Sequence, residues 1–355
     1  MGAVLGLGLS HYPLLSAPDE HLSSILRRTL TDPAIPAARK DSATWPEPMR
    51  AEWGDDEGRS AATAYRAKLL PGLRRVRAAL DAFSPDVIVI WGDDQYENFQ
   101  ADGIPAFCVC AFPTQEVQPW ANVSAQSLAG RPNVWSEPVA TTRTVRGDPA
   151  AGKALATGLL EEGFDVAYAY RPLHHAGLAH AFLNAVLYLD YDRRGFDYPI
   201  VPLTINCYGR RAVARSGIFS GPDGARAADP PSPSPARCFD LGRAVARVCR
   251  EWPGRVALIA SSSWSHAFLV DKTHRLEPDV AADRRLYGWL AGGELARWRD
   301  VTLAEVEDAG QHELLNWFPL TGAMHEIGAK LAWSEMVETY VFTSTKVAAV
   351  FDPVS

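Results

Sequence analysis

Short apolar runs alternate with amphipathic stretches along nearly the whole chain, and few folds accommodate that alternation. Ala3-Val-Leu-Gly-Leu-Gly-Leu9, Val87-Ile-Val-Ile-Trp91 and Val256-Ala-Leu-Ile-Ala260 are too short for buried helices and are bounded by polar or turn-forming residues. They read as strands at 2–9, 87–91 and 256–262, with further strands at 104–112, 164–170 and 199–206. Between them, apolar spacing predicts helices. The clearest spans 60–83, where Leu69, Leu70, Leu73, Val76 and Leu80 share a face. Others are expected at 149–162, 176–189, 237–251, 283–291, 301–309 and 312–330, with a closing strand pair within 332–350. No internal repeat or linker divides the chain. The reading is one large α/β domain with a central mixed or mainly parallel sheet. It carries an irregular insertion at about 12–60, with a short helix near 21–30, and a Gly/Pro/Ser-rich loop at about 216–235.

In open α/β sheets, ligands collect at the carboxyl ends of strands. His11, the Asp93–Gln95 turn, the segment 206–210 and His266 all fall at such ends. The net charge of −7, without a long Lys/Arg run, excludes a nucleic-acid binder. No run reaches the roughly 20 apolar residues of a membrane helix. The N-terminus reads as a buried strand, not a signal peptide. Five cysteines without a CxxC pair point to reduced thiols in a cytoplasmic protein. Cys108 and Cys110, two apart on one strand, read as small core residues.

His266 follows Ser261-Ser-Ser-Trp-Ser265, but a serine-hydrolase reading lacks the G-x-S-x-G elbow. Glu313 opens an otherwise apolar helix, where a carboxylate is costly unless paired or metal-bound; Pro319 is expected to kink that helix and aim Glu313 inward. In the segment 173–182, His174 or His175 at the helix start could face a pocket, and His180 reads as packed or capped. Two histidines and a carboxylate drawn from distant segments could form a non-haem iron site.

Three stretches together resemble the class III extradiol ring-cleavage dioxygenases, of the protocatechuate 4,5-dioxygenase β-subunit type. These are the turn carrying His11-Tyr-Pro-Leu-Leu15, the turn Ser263-Trp-Ser-His266, and the helix Glu313-Leu-Leu-Asn-Trp-Phe-Pro-Leu-Thr-Gly-Ala-Met324. The resemblance runs from the first strand to about residue 325. It implies Fe(II) held by two His and one Glu, with His11 and Glu313 as ligands and His266 as the acid/base. The family's second His ligand falls on Gln95, which is a departure. Gln95 could then bind through its carbonyl oxygen. Alternatively, Asp94 or Glu97 could swing in and make an oxygen-rich site suited to Mn(II) or Fe(II), or the site could be metal-free. His175 could hydrogen-bond substrate or the oxygen intermediate, and Tyr208 and Arg210, after the strand at 199–206, could hold a substrate carboxylate, since Arg binds carboxylates bidentately. The implied reaction opens a catechol-like or aminophenol-like ring with O2. The alternatives are a hydrolase or lyase on this scaffold, or a non-catalytic subunit. In related two-subunit enzymes a small partner covers the pocket; here the insertion could replace it, in a homo-oligomer.

Overall fold

Ten strands form in the computed structural model, which describes residues 2–122, 132–175, 177–212 and 229–355. They are β1 (Ala3–Leu9), β2 (Val87–Asp93), β3 (Phe107–Cys110), β4 (Gln115–Val117), β5 (Arg143–Val145), β6 (Ala167–Ala169), β7 (Ile200–Ile205), β8 (Arg255–Ser261), β9 (Leu331–Val337) and β10 (Lys346–Phe351). Eight make one sheet, in the order β6-β3-β7-β2-β8-β1-β10-β9; β4 and β5 form a separate ribbon. The inner four strands, β7, β2, β8 and β1, are mutually parallel, while β3 and β10 run antiparallel to their inner neighbours. The sheet is therefore mixed around a parallel centre.

Side chains alternate across a strand. Val87, Val89 and Trp91 accordingly enter one apolar cluster, and Ile88 and Ile90 enter the other. Both faces are covered, so the strand is one continuous apolar run. The helix Arg59–Phe83 covers one face with Leu69, Leu73, Val76 and Leu80. The helices Pro235–Glu251 and Trp317–Ile327 cover the other, crossing so closely that a Cβ on Gly242 would lie 1.8 Å from the Pro319 carbonyl oxygen. A Cβ on Gly8 would lie 2.2 Å from the Trp317 ring. Glycine at these positions lets the helix carrying Trp317 sit directly on β1.

Several boundaries differ from those expected. The segment 312–330 is not one helix: a 3-10 turn, His312–Asn316, precedes the α-helix Trp317–Ile327. Pro319 then lies in the first helical turn, where a missing N–H costs nothing, so it causes no kink. The helix expected at 176–189 begins at His180. The irregular insertion at 12–60 carries more helix than the one short stretch expected near 21–30. It folds into short helical turns that bury Leu14, Leu22, Leu26, Trp45 and Met49. Most of the loop at 216–235 lies outside the described residues. Its end is a helix start, with Ser234 Oγ accepting the Arg237 amide. Cys108 and Cys110 are buried on the same face, as core residues.

Candidate metal centre

Because β1, β8, β2 and β7 are parallel neighbours, their carboxyl ends deliver His11, His266, Asp93 and Tyr208 to one edge of the sheet. His11 Nδ1 lies 2.8 Å from the Ser261 carbonyl oxygen. A carbonyl only accepts, so the proton is on Nδ1 and the Nε2 lone pair faces inward. His11 Nε2 is 3.3 Å from Glu313 Oε2 and 3.8 Å from Asp93 Oδ1. His266 Nε2 is 3.4 Å from the same Glu313 Oε2. Glu313 rides on the 3-10 turn, which Asn316 pins by donating to Asp93 Oδ1 at 3.1 Å. The Trp317 indole N–H donates to the Ser262 carbonyl at 3.2 Å, fixing the start of the helix that follows. Tyr208 donates its hydroxyl proton to Glu313 Oε1, yet Glu313 Oε2 is buried with no hydrogen-bond donor. A buried carboxylate oxygen left so, between two imidazole nitrogens, is the environment a divalent cation satisfies.

Gln95 enters this cluster by its nitrogen. Its Nε2 donates to Tyr208 Oη at 2.8 Å, Asp93 Oδ2 at 3.0 Å and Glu313 Oε1 at 3.1 Å. Turning the amide over would set its oxygen against two carboxylates. In this orientation Gln95 offers no ligand atom, contrary to the role expected for it. Asp94, the expected substitute, is also spent elsewhere: its carboxylate accepts the backbone amides of Glu97, Asn98 and Phe99 and builds the turn.

A second imidazole arrives instead from the helix His180–Leu189. Its first residue is buried, and the ring meets His11 edge to face with centroids 5.1 Å apart. Glu97 accepts from His180 Nδ1 at 2.9 Å and from the His180 backbone amide at 3.2 Å, which fixes the ring and leaves Nε2 unused by that pair. Among the described residues, His11, Asp93 and His180 present ligand atoms within 4.8 Å of one another. Ligands about 2 Å from one ion lie about 3–4 Å apart, so modest movement closes the set. Two His and one carboxylate are the donors a non-haem Fe(II) site uses, and a carboxylate behind a ligating His is its usual support. The residues therefore fit a divalent metal.

The electrostatics follow from packing these charges together without water. Burial and the nearby Glu313 push Asp93 up to about 6. Burial alone would lower His180, but Glu97, then Asp93 and Glu313, carry it up to about 10. Burial likewise opposes ionisation of Glu313, but His266 and His11 hold it below the usual carboxylate range. Desolvation lowers His266 despite Glu313 beside it, and its buried Nδ1 has no hydrogen-bond partner.

The remaining expected residues lie around this cluster. His175 is half-buried with Nδ1 unpartnered. His174 pairs with Asp102 at 2.8 Å, away from the cluster. Tyr208 is buried against Glu313, whereas Arg210 is exposed on the short helix Gly209–Ala212. Sequence reasoning missed Asp93, His180 and Glu97 as partners in one cluster. Asp93 carried a signal, since a carboxylate closing a wholly apolar strand needs a partner. His180 and Glu97 are 83 residues apart and carried none.

Residues 226–351 match the family model described as the catalytic LigB subunit of aromatic ring-opening dioxygenase. The match covers about a third of the chain. The matched segment holds β8, His266, Glu313, β9 and β10, while His11, Asp93, Gln95 and His180 precede it. Relatives extend the similarity beyond that segment. A protein of Paraburkholderia phymatum named 2,3-dihydroxyphenylpropionate/2,3-dihydroxicinnamic acid 1,2-dioxygenase is 31% identical over 216 residues, 61% of this chain and 53% of that protein. Another of the same name, numbered 2, from Pseudomonas putida, is 29% identical over 59% of this chain and 52% of its own length. The Paraburkholderia xenovorans enzyme of that name is 27% identical over 71% of this chain and 79% of its length. The chain thus spans about half the length of the first two relatives. No helix among the described residues is long and apolar enough to cross a membrane.

Proposed function

We propose that this protein is a metal-dependent extradiol-type dioxygenase that opens a catechol-like ring beside its diol, with both atoms of O2 entering the product. The observation that carries the reading is the cluster at the ends of β1, β2 and β8. It combines a two-His, one-carboxylate donor set with a buried imidazole 3.4 Å from a second carboxylate. A bound Fe(II), or Mn(II) in so oxygen-rich a site, supplies Lewis acidity and the capacity to engage O2.

His11, Asp93 and His180 hold the ion in this reading, and Glu313 Oε2, 3.3 Å from His11 Nε2, stands beside them as a further oxygen donor. Gln95 bridges the two carboxylates by donating to both. His266 takes a proton from a substrate hydroxyl, since burial keeps its imidazole free to accept one. Glu313 faces the resulting imidazolium and stabilises it. Tyr208 holds Glu313 and so acts on substrate only through it. His175 is assigned a hydrogen bond to substrate in this reading. Arg210, exposed after β7, suits a carboxylate on the substrate's side chain. Relatives named for 2,3-dihydroxyphenylpropionate make catechols with a short acidic side chain the first compounds to try.

The test is anaerobic loading with Fe(II) or Mn(II), followed by O2 uptake on a panel of catechols with and without a carboxylate arm. Stoichiometric metal with a yellow ring-opened product is expected. Metal binding without O2 consumption on any catechol would sink the dioxygenase reading in favour of a hydrolase or lyase; failure of the folded protein to bind metal would favour a non-catalytic subunit. Within the panel, Arg210→Ala should raise KM for the carboxylated catechols and leave unsubstituted catechol unaffected.

A further inference from the structure

His266 and Glu313 come from segments 47 positions apart in sequence, yet the fold sews those segments together next to the cluster. The Ser265 hydroxyl donates to the Ala309 carbonyl at 2.5 Å, and the His266 amide donates to the Gly310 carbonyl at 2.9 Å. Gly310 has a φ of +62°, and a Cβ there would lie 2.8 Å from the His266 carbonyl oxygen, so only glycine permits this approach. Behind both strands of the seam lies Asp283, fully buried in the helix Val280–Ala291. Its carboxylate accepts the Ser265 backbone amide at 3.1 Å and the Gln311 side-chain amide at 2.6 Å. Ser265 immediately precedes His266, and Gln311 lies two residues before Glu313. One buried carboxylate thus grips both segments.

We propose that Asp283 is a positioning residue that fixes His266 against Glu313 and so sets the geometry of proton transfer. This rests on the dioxygenase reading for its effect on turnover, but the clamp itself does not. A buried acid is expensive to keep in the core, and no cation pairs with Asp283 among the described residues; its hydrogen-bond partners are amides. Hydrophobic packing could close that helix equally well. What packing could not do is accept from two donors on separate segments and hold them in register. Asp283 has no contact with His11, Asp93 or His180, so its removal should spare the metal.

The experiment compares Asp283→Asn and the exchanged pair D283N/Q311E in the metal-loaded enzyme. Both donors converge on Oδ1, and the Ser265 amide also reaches Oδ2 at 3.3 Å, so either orientation of an Asn sets its NH2 against the Ser265 amide. In the exchanged pair the Asn amide donates to the new carboxylate while its oxygen accepts from Ser265, which restores both links. Asp283→Asn is expected to lower kcat by about 100-fold, the scale of a small misplacement of a reacting group. KM and Mn(II) stoichiometry should be unchanged, and D283N/Q311E should recover most of the lost kcat. Unaltered kcat in Asp283→Asn would overturn the proposal. So would loss of kcat, metal and melting temperature together without recovery in the exchanged pair, which would mark a merely structural role. If the wild-type protein binds Mn(II) but opens no catechol, the dioxygenase reading fails and the clamp is read separately. Hydrogen exchange at the Ser265 and His266 amides should then speed up in Asp283→Asn and slow again in D283N/Q311E; equal exchange in all three proteins would remove the clamp.

Discussion

Gln95 donates to three oxygens and offers none of its own to the centre, so Gln95→Ala removes donors but no ligand atom. That variant should still bind Mn(II) at one equivalent, while His180→Ala should lose it, as read by metal analysis after gel filtration. Equal metal content in the two variants would refute the assignment of His180. Glu97 tests the same point one shell out. Its pKa is lowered, against burial, mainly by His180, and it fixes the His180 ring through Nδ1. Glu97→Gln should weaken Mn(II) binding by about 10–100-fold, the usual cost of losing a carboxylate behind a ligating His. A titration showing unchanged affinity would separate Glu97 from the centre. At this scale His11, His266 and Glu313 were legible, because each follows or opens an apolar segment where a polar group stands out. Whether the Gln95 amide offers nitrogen or oxygen was not, because its neighbours Tyr208 and Glu313 lie 113 and 218 positions away.

The elements were placed by periodicity, and their faults lie where a tertiary contact outweighed it. The helix bearing His180 starts late because Glu97 accepts the His180 amide at its first turn. The 3-10 turn before Trp317 breaks an apolar pattern that reads as continuous helix, because Asn316 and Trp317 are tied to Asp93 and Ser262. Close crossing of the helices Pro235–Glu251 and Trp317–Ile327 explains why small residues interrupt both. A Cβ on Gly322 would lie 2.0 Å from the Phe239 carbonyl oxygen. Gly322→Ala should therefore destabilise the fold by roughly 1–3 kcal/mol or more through overpacking. Urea unfolding would measure it, and a midpoint equal to wild type would show that the helices can separate at no cost.

For the molecule as a whole, metal and protons should both shift stability. An ion bound only by the folded state raises its stability by about 2.7 kcal/mol at a hundred times its Kd. Melting temperature should rise with added Mn(II) and fall on chelation, and a flat response would argue against a metal centre. Burial lifts Asp283 from 3.8 to about 7 in the folded protein. A carboxyl whose folded pKa is raised contributes its stability below pH 3.8, and loses it as pH climbs towards about 7. Asp283→Asn does not titrate, so the stability difference between wild type and variant should shift against wild type by a few kcal/mol across that window. A pH-independent difference would show that Asp283 ionises normally.

Local patterning determined the α/β class, a mixed or mainly parallel sheet and the strand ends where chemistry collects. Those depend on which residues neighbour one another along the chain and on the period at which apolar groups recur. Only the tertiary structure decided which polar groups meet. The order β7-β2-β8-β1 brings Asp93 between Tyr208 and His266, and the helix packed above it brings in His180. Hydrogen bonds and ligand sets act over about 3 Å in space, whatever the separation in sequence. The chain's order therefore named His11, His266 and Glu313, and its folding joined them to Asp93, His180 and, beneath them, Asp283.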